Sequence, residues 1–179
     1  MSQKNLFFEG SAHVPLLIMP PQGRSLPQNI SVEAPADLVD LYPTILAMAG
    51  LSSPVSVSGR NLLEPVPMDR IFFGNSLNRN FCVMEEKVKL VYSAVGDHVL
   101  LFDLNTDPME QHNLAEDPAW QERKAKLWKL LLEHTAQYTP EALDENGQFL
   151  TYEAPHFPGD VPGRWFGFHY HDYSVDTFH

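Results

Sequence analysis

The chain has a single cysteine, few cations and no long apolar run, and each shortage excludes something. One thiol, Cys82, allows no intramolecular disulfide and no four-cysteine metal centre. Its neighbours Phe81 and Val83 read as a buried strand around it. Twelve Lys and Arg stand against 23 Asp and Glu, a formal charge of -11. Such a surface repels nucleic-acid phosphates and anionic lipid, so neither nucleic acid nor membrane is an expected partner. The longest apolar stretch, Val14 to Met19, is interrupted by Pro15 and stopped by Pro20 and Pro21, far short of the roughly 20 residues that cross a bilayer. After Met1 there is no succession of basic, apolar and small residues that reads as a secretory leader, and the compartment stays open between cytoplasm and periplasm.

What is present suffices for a core: 44% of the 179 residues are hydrophobic and 11% aromatic. Val14 to Met19 reads as a strand covered on both faces. Leu38, Leu41, Ile45 and Met48 recur at helical spacing, with Pro43 in the first turn and Gly50 just past the end. Beyond residue 70 the period drops to two, giving four short runs: Ile71 to Gly74, Asn80 to Glu85, Val88 to Ala94 and Val99 to Asp103, with Gly96 and Asp97 turning between the last two. Short runs joined by tight polar turns predict an antiparallel meander. Asp117 is the expected N-cap of a helix over about Pro118 to His134, with Trp120, Lys124, Leu127 and Leu131 along one face and Glu122 paired to Lys126 on the other.

Three stretches carry more than periodicity. The first is Lys4-Asn5-Leu6-Phe7-Phe8-Glu9-Gly10-Ser11-Ala12-His13-Val14-Pro15. The second is Val39-Asp40-Leu41-Tyr42-Pro43-Thr44-Ile45-Leu46-Ala47-Met48-Ala49-Gly50, followed by Ser58-Gly59-Arg60-Asn61-Leu62. The third is Leu101-Phe102-Asp103-Leu104-Asn105-Thr106-Asp107-Pro108-Met109-Glu110-Gln111-His112-Asn113-Leu114. In this order they resemble the sulfatases of the alkaline-phosphatase superfamily, the third matching the L-Y-D-L-x-x-D-P-x-E-x-x-N-L run with Phe102 in place of tyrosine.

The resemblance implies an α+β fold: a C-terminal sulfatase subdomain with a four-stranded antiparallel sheet packed against a helix, preceded by a strand and helix left from an N-terminal α/β domain. The implied division is 1–68 for the end of that domain, 69–138 for sheet and helix, and 139–179 for an aromatic-rich tail. It also implies that Lys4, five residues before Glu9, is a catalytic residue that contacts sulfate in the intact parent, where an ammonium can neutralise charge on the transferring group. The family's nucleophile is a formylglycine made within C/S-x-P-x-R, and its divalent cation, calcium or magnesium, is held by acidic residues upstream. This chain has no such motif, because Cys82 is followed by Val83 and Met84. No cofactor is therefore expected in the chain itself, and no activity from it alone.

Other acidic and histidine groups read as structural. Asp40 sits where a helix is capped, and Asp103, Asp107 and Glu110 lack the glycine and closing glutamate of a calcium loop. In the tail, Arg164, His169 and His171 lie among Trp165, Phe166, Phe168 and Tyr170. They are candidate substrate-binding residues, since aromatic rings with an arginine suit sugar faces and anionic groups; His169 and His171 alone are a weak zinc signal. A sulfate ester is the implied substrate, and Val14 to Met19, without its partner strands, is expected to pair with the same run of a second copy, giving a homo-oligomer, or to fold against the sheet of its own subdomain. Two rivals stand beside this reading: a phosphonate or phosphate ester hydrolase of the same superfamily, and a non-catalytic interaction module.

Overall fold

A computed structural model describes residues 7–19, 31–32, 34–53, 55–65 and 69–153. Lys4, Arg164, His169 and His171 lie outside the described residues. The chain divides into two compact units: one takes the residues through Val14 with those from Phe73 onward, the other is Pro15–Phe72.

In the first unit, β1 (Phe72–Ser76), β2 (Asn80–Glu85), β3 (Val88–Ser93) and β4 (His98–Asp103) form one sheet in the order β1-β2-β3-β4. Both β2 with β3 and β3 with β4 pair antiparallel, in registers that set Val83 opposite Leu90 and Leu90 opposite Leu101. The predicted meander is therefore present, with strand limits shifted by a residue or two. Gly96 and Asp97 adopt left-handed φ of 77° and 54° in the last turn, where Asp97 also accepts a hydrogen bond from the Tyr92 hydroxyl at 2.9 Å.

Every residue of β3 is buried, which requires cover on both faces of the sheet. With a period of two, Phe81, Val83, Leu90, Tyr92 and Leu101 share one face. That face lies under α3 (Gln121–Tyr138), whose Leu127, Leu131 and Thr135 are buried and whose Trp128 stands edge-on to Tyr92 at 4.9 Å. Burying each of the two leucines contributes about 2 kcal/mol. Asp117 caps the helical segment by accepting from the Ala119 amide at 2.9 Å, with Pro118 at its first position. The helix runs a turn beyond the expected His134 because its stop signal is Pro140: the residue before a proline is driven out of helical geometry, and Thr139 has φ -146° and ψ 54°. Lys126 turns to Glu85 of β2 at 2.6 Å instead of to Glu122. The core does not end with α3 either, since Phe149 is buried against Phe81 at 4.6 Å and Tyr92 at 4.7 Å.

The opposite face carries Cys82, Lys89, Val91 and Phe102. Its cover is residues 7–12, including the short α1 (Glu9–Ala12), where Phe8 packs on Phe102 at 5.9 Å between ring centres. This third layer was not expected from a sequence division that placed residue 7 with residue 60. The chain beyond it forms no strand: residues 13–19 join no ladder, and Leu17 is 92% exposed. An apolar run makes a strand only where a neighbouring strand offers its amides.

In the second unit a turn of 3-10 helix, Leu38–Asp40, leads into α2 (Leu41–Ala49). Asp37 and Asp40 form a capping box, and Gly50 closes the helix at φ 77° with its amide on Ala47 O.

The β2–β3 hairpin turns on Glu86 and Lys87, both left-handed at φ 52° and 63°. Two-residue hairpins demand this conformation, and neither residue adopts it without cost. Lys87→Gly is expected to stabilise the chain by about 0.5–1 kcal/mol, raising the thermal midpoint by about 2–4 °C in a circular dichroism melt. An unchanged or lower midpoint would show that the turn is not strained.

Candidate functional site

The lower face of the sheet holds an ionic cluster that joins the first and third of the stretches singled out above. Lys89, 2% exposed, is the second residue of β3, with its Nζ donating to Phe7 O at 2.9 Å, to Glu110 Oε1 at 2.9 Å and to Glu9 Oε1. Glu110 Oε2 accepts from the Glu9 amide at 2.6 Å. His13, exposed, closes the outer side with Nδ1 at 3.0 Å from Glu9 Oε2. Burial pulls the Lys89 ammonium toward deprotonation, but its bonds to Glu9 and Glu110 outweigh that and hold its pKa above the ordinary 10.5. An ammonium has three protons, and here each finds an acceptor.

Local structure explains why these groups meet. Segment 7–9 approaches because β1 offers Gly74, where a Cβ would come within 2.4 Å of the Phe7 ring. Glu110 is held at φ 55° in the loop after β4. That loop is ordered by its own polar residues: Asp103 accepts from the Asn105 amide at 3.1 Å, Asp107 from the His112 amide at 2.8 Å, and Asn113 Oδ1 from the amides of Leu101 and Ala115 at 2.9 and 3.0 Å. These bonds draw the pKa of both aspartates down, against the opposing effect of desolvation. The carboxylates of this stretch therefore serve turn geometry and one ion pair.

The second unit has its own knot. Asp40, fully buried, accepts from the amides of Asp37 and Arg60, each at 2.8 Å, and pairs with Arg70. Burial alone would raise its pKa, but Arg70 and the amides of Arg60 and Asp37 lower it. One turn along, Thr44 Oγ1 accepts from the Leu62 amide at 2.9 Å. Gly59 allows this close approach, because a Cβ there would lie 1.9 Å from Val39 O. Asp40 serves in a cap, as expected, but as the N3 partner of Asp37 rather than as the cap of α2, and it also clamps the loop at Arg60, which was not expected.

Among the described residues no group of three or more His, Cys, Asp or Glu is arranged to hold a metal ion. The sequence reading missed Lys89 altogether. The available signal was a lone cation between Val88 and Leu90 in an otherwise apolar strand, which in a buried strand requires partners.

No family model matches the chain. Curated relatives do: arylsulfatase K of Bos taurus is 34% identical over 131 residues, covering 63% of this chain and 24% of its own length. Choline-sulfatase of Rhizobium meliloti is 35% identical over 150 residues, covering 77% and 28%. The chain thus spans about a quarter of the length of these relatives. Among solved structures, the phosphonate monoester hydrolase of Agrobacterium radiobacter overlays at TM-score 0.47 with 25% identity, covering 65% of this chain and 29% of that one. A 2-O GAG sulfatase overlays at 0.48 with 22% identity, covering 59% and 26%.

Cys82 reports on the cover over this face. It is fully buried beside the cluster, and burial pushes its thiol up to about 12. Alkylation needs an accessible thiolate, so iodoacetamide at pH 8 should leave the native chain unlabelled for hours and label it fully in urea. Rapid labelling of the native chain would mean that residues 7–12 do not stay on the sheet.

Proposed function

This chain belongs to the sulfatase family, and we propose that it is the C-terminal portion of a sulfuric ester hydrolase whose nucleophile and metal ligands lie in the rest of the protein. The observation that carries this reading is the order of three sulfatase-like stretches, the first and last of which converge on Lys89. The reading makes Lys4 the chain's contribution to chemistry. Its ammonium would donate to an oxygen of the sulfate ester and to the leaving oxygen as negative charge develops there, an interaction worth most in the transition state. Glu9 and Phe7 belong to the scaffold, held by Lys89 and Glu110.

The family's formylglycine and divalent cation do not fit the residues of this chain. Cys82 is buried in a strand without the following proline and arginine, Glu9, Asp40, Asp107 and Glu110 are engaged by amides or cations, and among the described residues no group of His, Cys, Asp or Glu is arranged around a cation site. The curated relatives are named sulfatases, which favours sulfuryl over phosphoryl transfer. Leu17, Met19 and, on α2, Ile45 leave apolar surface uncovered in this chain, as expected of elements whose packing partners lie in the remainder of an α/β domain.

The decisive material is the genomic sequence upstream of Met1, inspected for C/S-x-P-x-R and, where that motif stands in frame, expressed with this chain. The joined protein should hydrolyse an aryl sulfate, and Lys4→Ala should lower kcat about 100- to 1,000-fold, the loss typical of one charge-stabilising donor. The 179-residue chain alone should turn over nothing. Chelator-sensitive turnover by the chain alone, or full activity after Lys4→Ala, would overturn the proposal.

A further inference from the structure

Asn146 is the only asparagine of the chain that is followed by a glycine. The pair stands at the exposed tip of a small hairpin after α3, in which Leu143 pairs antiparallel with Phe149 and the Asp144 amide donates to Gln148 O at 2.7 Å. Gly147 is left-handed at φ 73°, and a Cβ there would meet nothing within 4 Å. No steric shield therefore keeps its amide nitrogen from the side chain before it. Asp144 is what restrains both groups. Its Oδ1 accepts from the amides of Gln148 and Asn146, each at 2.9 Å, its carboxylate also takes the Asn146 side chain, and its carbonyl takes the Gly147 amide at 3.0 Å. An amide nitrogen must lose its proton before it can attack, and a proton held in an ordered turn is protected from base. The hairpin matters to the core because it carries Phe149, which is buried at 4.6 Å from Phe81, 4.7 Å from Tyr92 and 5.5 Å from Trp128.

We propose that Asn146 is a site of spontaneous deamidation, guarded by Asp144, which reacts when the turn at 144–148 opens. In the open turn hydroxide removes the Gly147 amide proton, and the nitrogen bonds to Cγ of Asn146. The bond from Cγ to Nδ2 then breaks, and Nδ2 takes a proton from water and leaves as ammonia. The product is a succinimide ring. Water opens that ring to aspartate when it attacks Cγ, or to isoaspartate when it attacks the main-chain carbonyl. The sum is one water consumed and one ammonia released, with no change of oxidation state. Isoaspartate adds a carbon to the backbone between the paired Leu143 and Phe149, and either product sets a new carboxylate beside Asp144 and Glu145. The original turn cannot re-form around it, so the reaction is a one-way record of the opening of the hairpin that closes the core.

The test is incubation of the 179-residue chain in warm, mildly alkaline buffer, with released ammonia measured and isoaspartate located by peptide mapping. In urea, isoaspartate should form at Asn146 before any other asparagine, and Asn146→Gln should abolish that signal. The native chain should form it at the same position at least about tenfold more slowly, since the turn must first give up several hydrogen bonds. Asp144→Ala, folded by circular dichroism, should bring the native rate close to the rate in urea, whereas Asp144→Asn, which keeps an acceptor oxygen, should stay slow. The deamidated chain should melt at a lower temperature than the fresh one. Reaction elsewhere first in urea overturns the site, and equal native and urea rates in the wild type overturn the guarded turn. A folded Asp144→Ala chain that stays slow overturns the role of Asp144. If that variant does not fold, Asp144→Asn decides instead: a rate as slow as the wild type supports the guard, and a rate as fast as in urea overturns it. An unchanged melting temperature after full deamidation overturns the effect on the core.

Discussion

A lysine ammonium removed from water must find acceptors for all three of its protons, and in this chain that demand at Lys89 organises the sheet unit. The two carboxylates that answer it are far apart in sequence, Glu9 before the sheet and Glu110 after β4. Bringing them together lays residues 7–12 across one face of the sheet and pins the loop after β4 to its edge. The burial of Cys82 follows, and so does the complete burial of β3, since α3 covers the other face. Removal of the cation would leave two adjacent carboxylates in a place built for three charges. The cluster is thus a single unit, not two independent salt bridges.

Local signals in the sequence served well where local chemistry decides the structure. The period of two located all four strands, the Asp117-Pro118 pair located the start of α3, and Gly50 located the end of α2. Asp40 could be read as a cap because capping is a contact within a few residues. The features that escaped are decided by distant partners or by backbone cost. Nothing in the run Val88-Lys89-Leu90 names Glu9 and Glu110 as partners. Glu86 and Lys87 form a hairpin turn that normally advertises itself with asparagine or glycine, and the surrounding strand register overrides their preference. Val14 to Met19 reads as a strand from hydrophobicity alone, yet a strand is a relation between segments, and none is offered to it among the described residues.

The conformation of these described residues also sorts the sulfatase-like stretches into chemistry and architecture. Asp107 and Asn113 fold a loop, Asp40 and Thr44 hold another, and Glu9 and Glu110 share one ammonium. Much of what makes the sequence recognisable is thus polar side chains satisfying backbone amides at fixed offsets, a requirement of folding that would persist whatever the reaction. Resemblance in such positions speaks for shared construction first. Construction is what Lys89 and Glu110 supply, holding the backbone at Phe7 and Glu9 against the sheet.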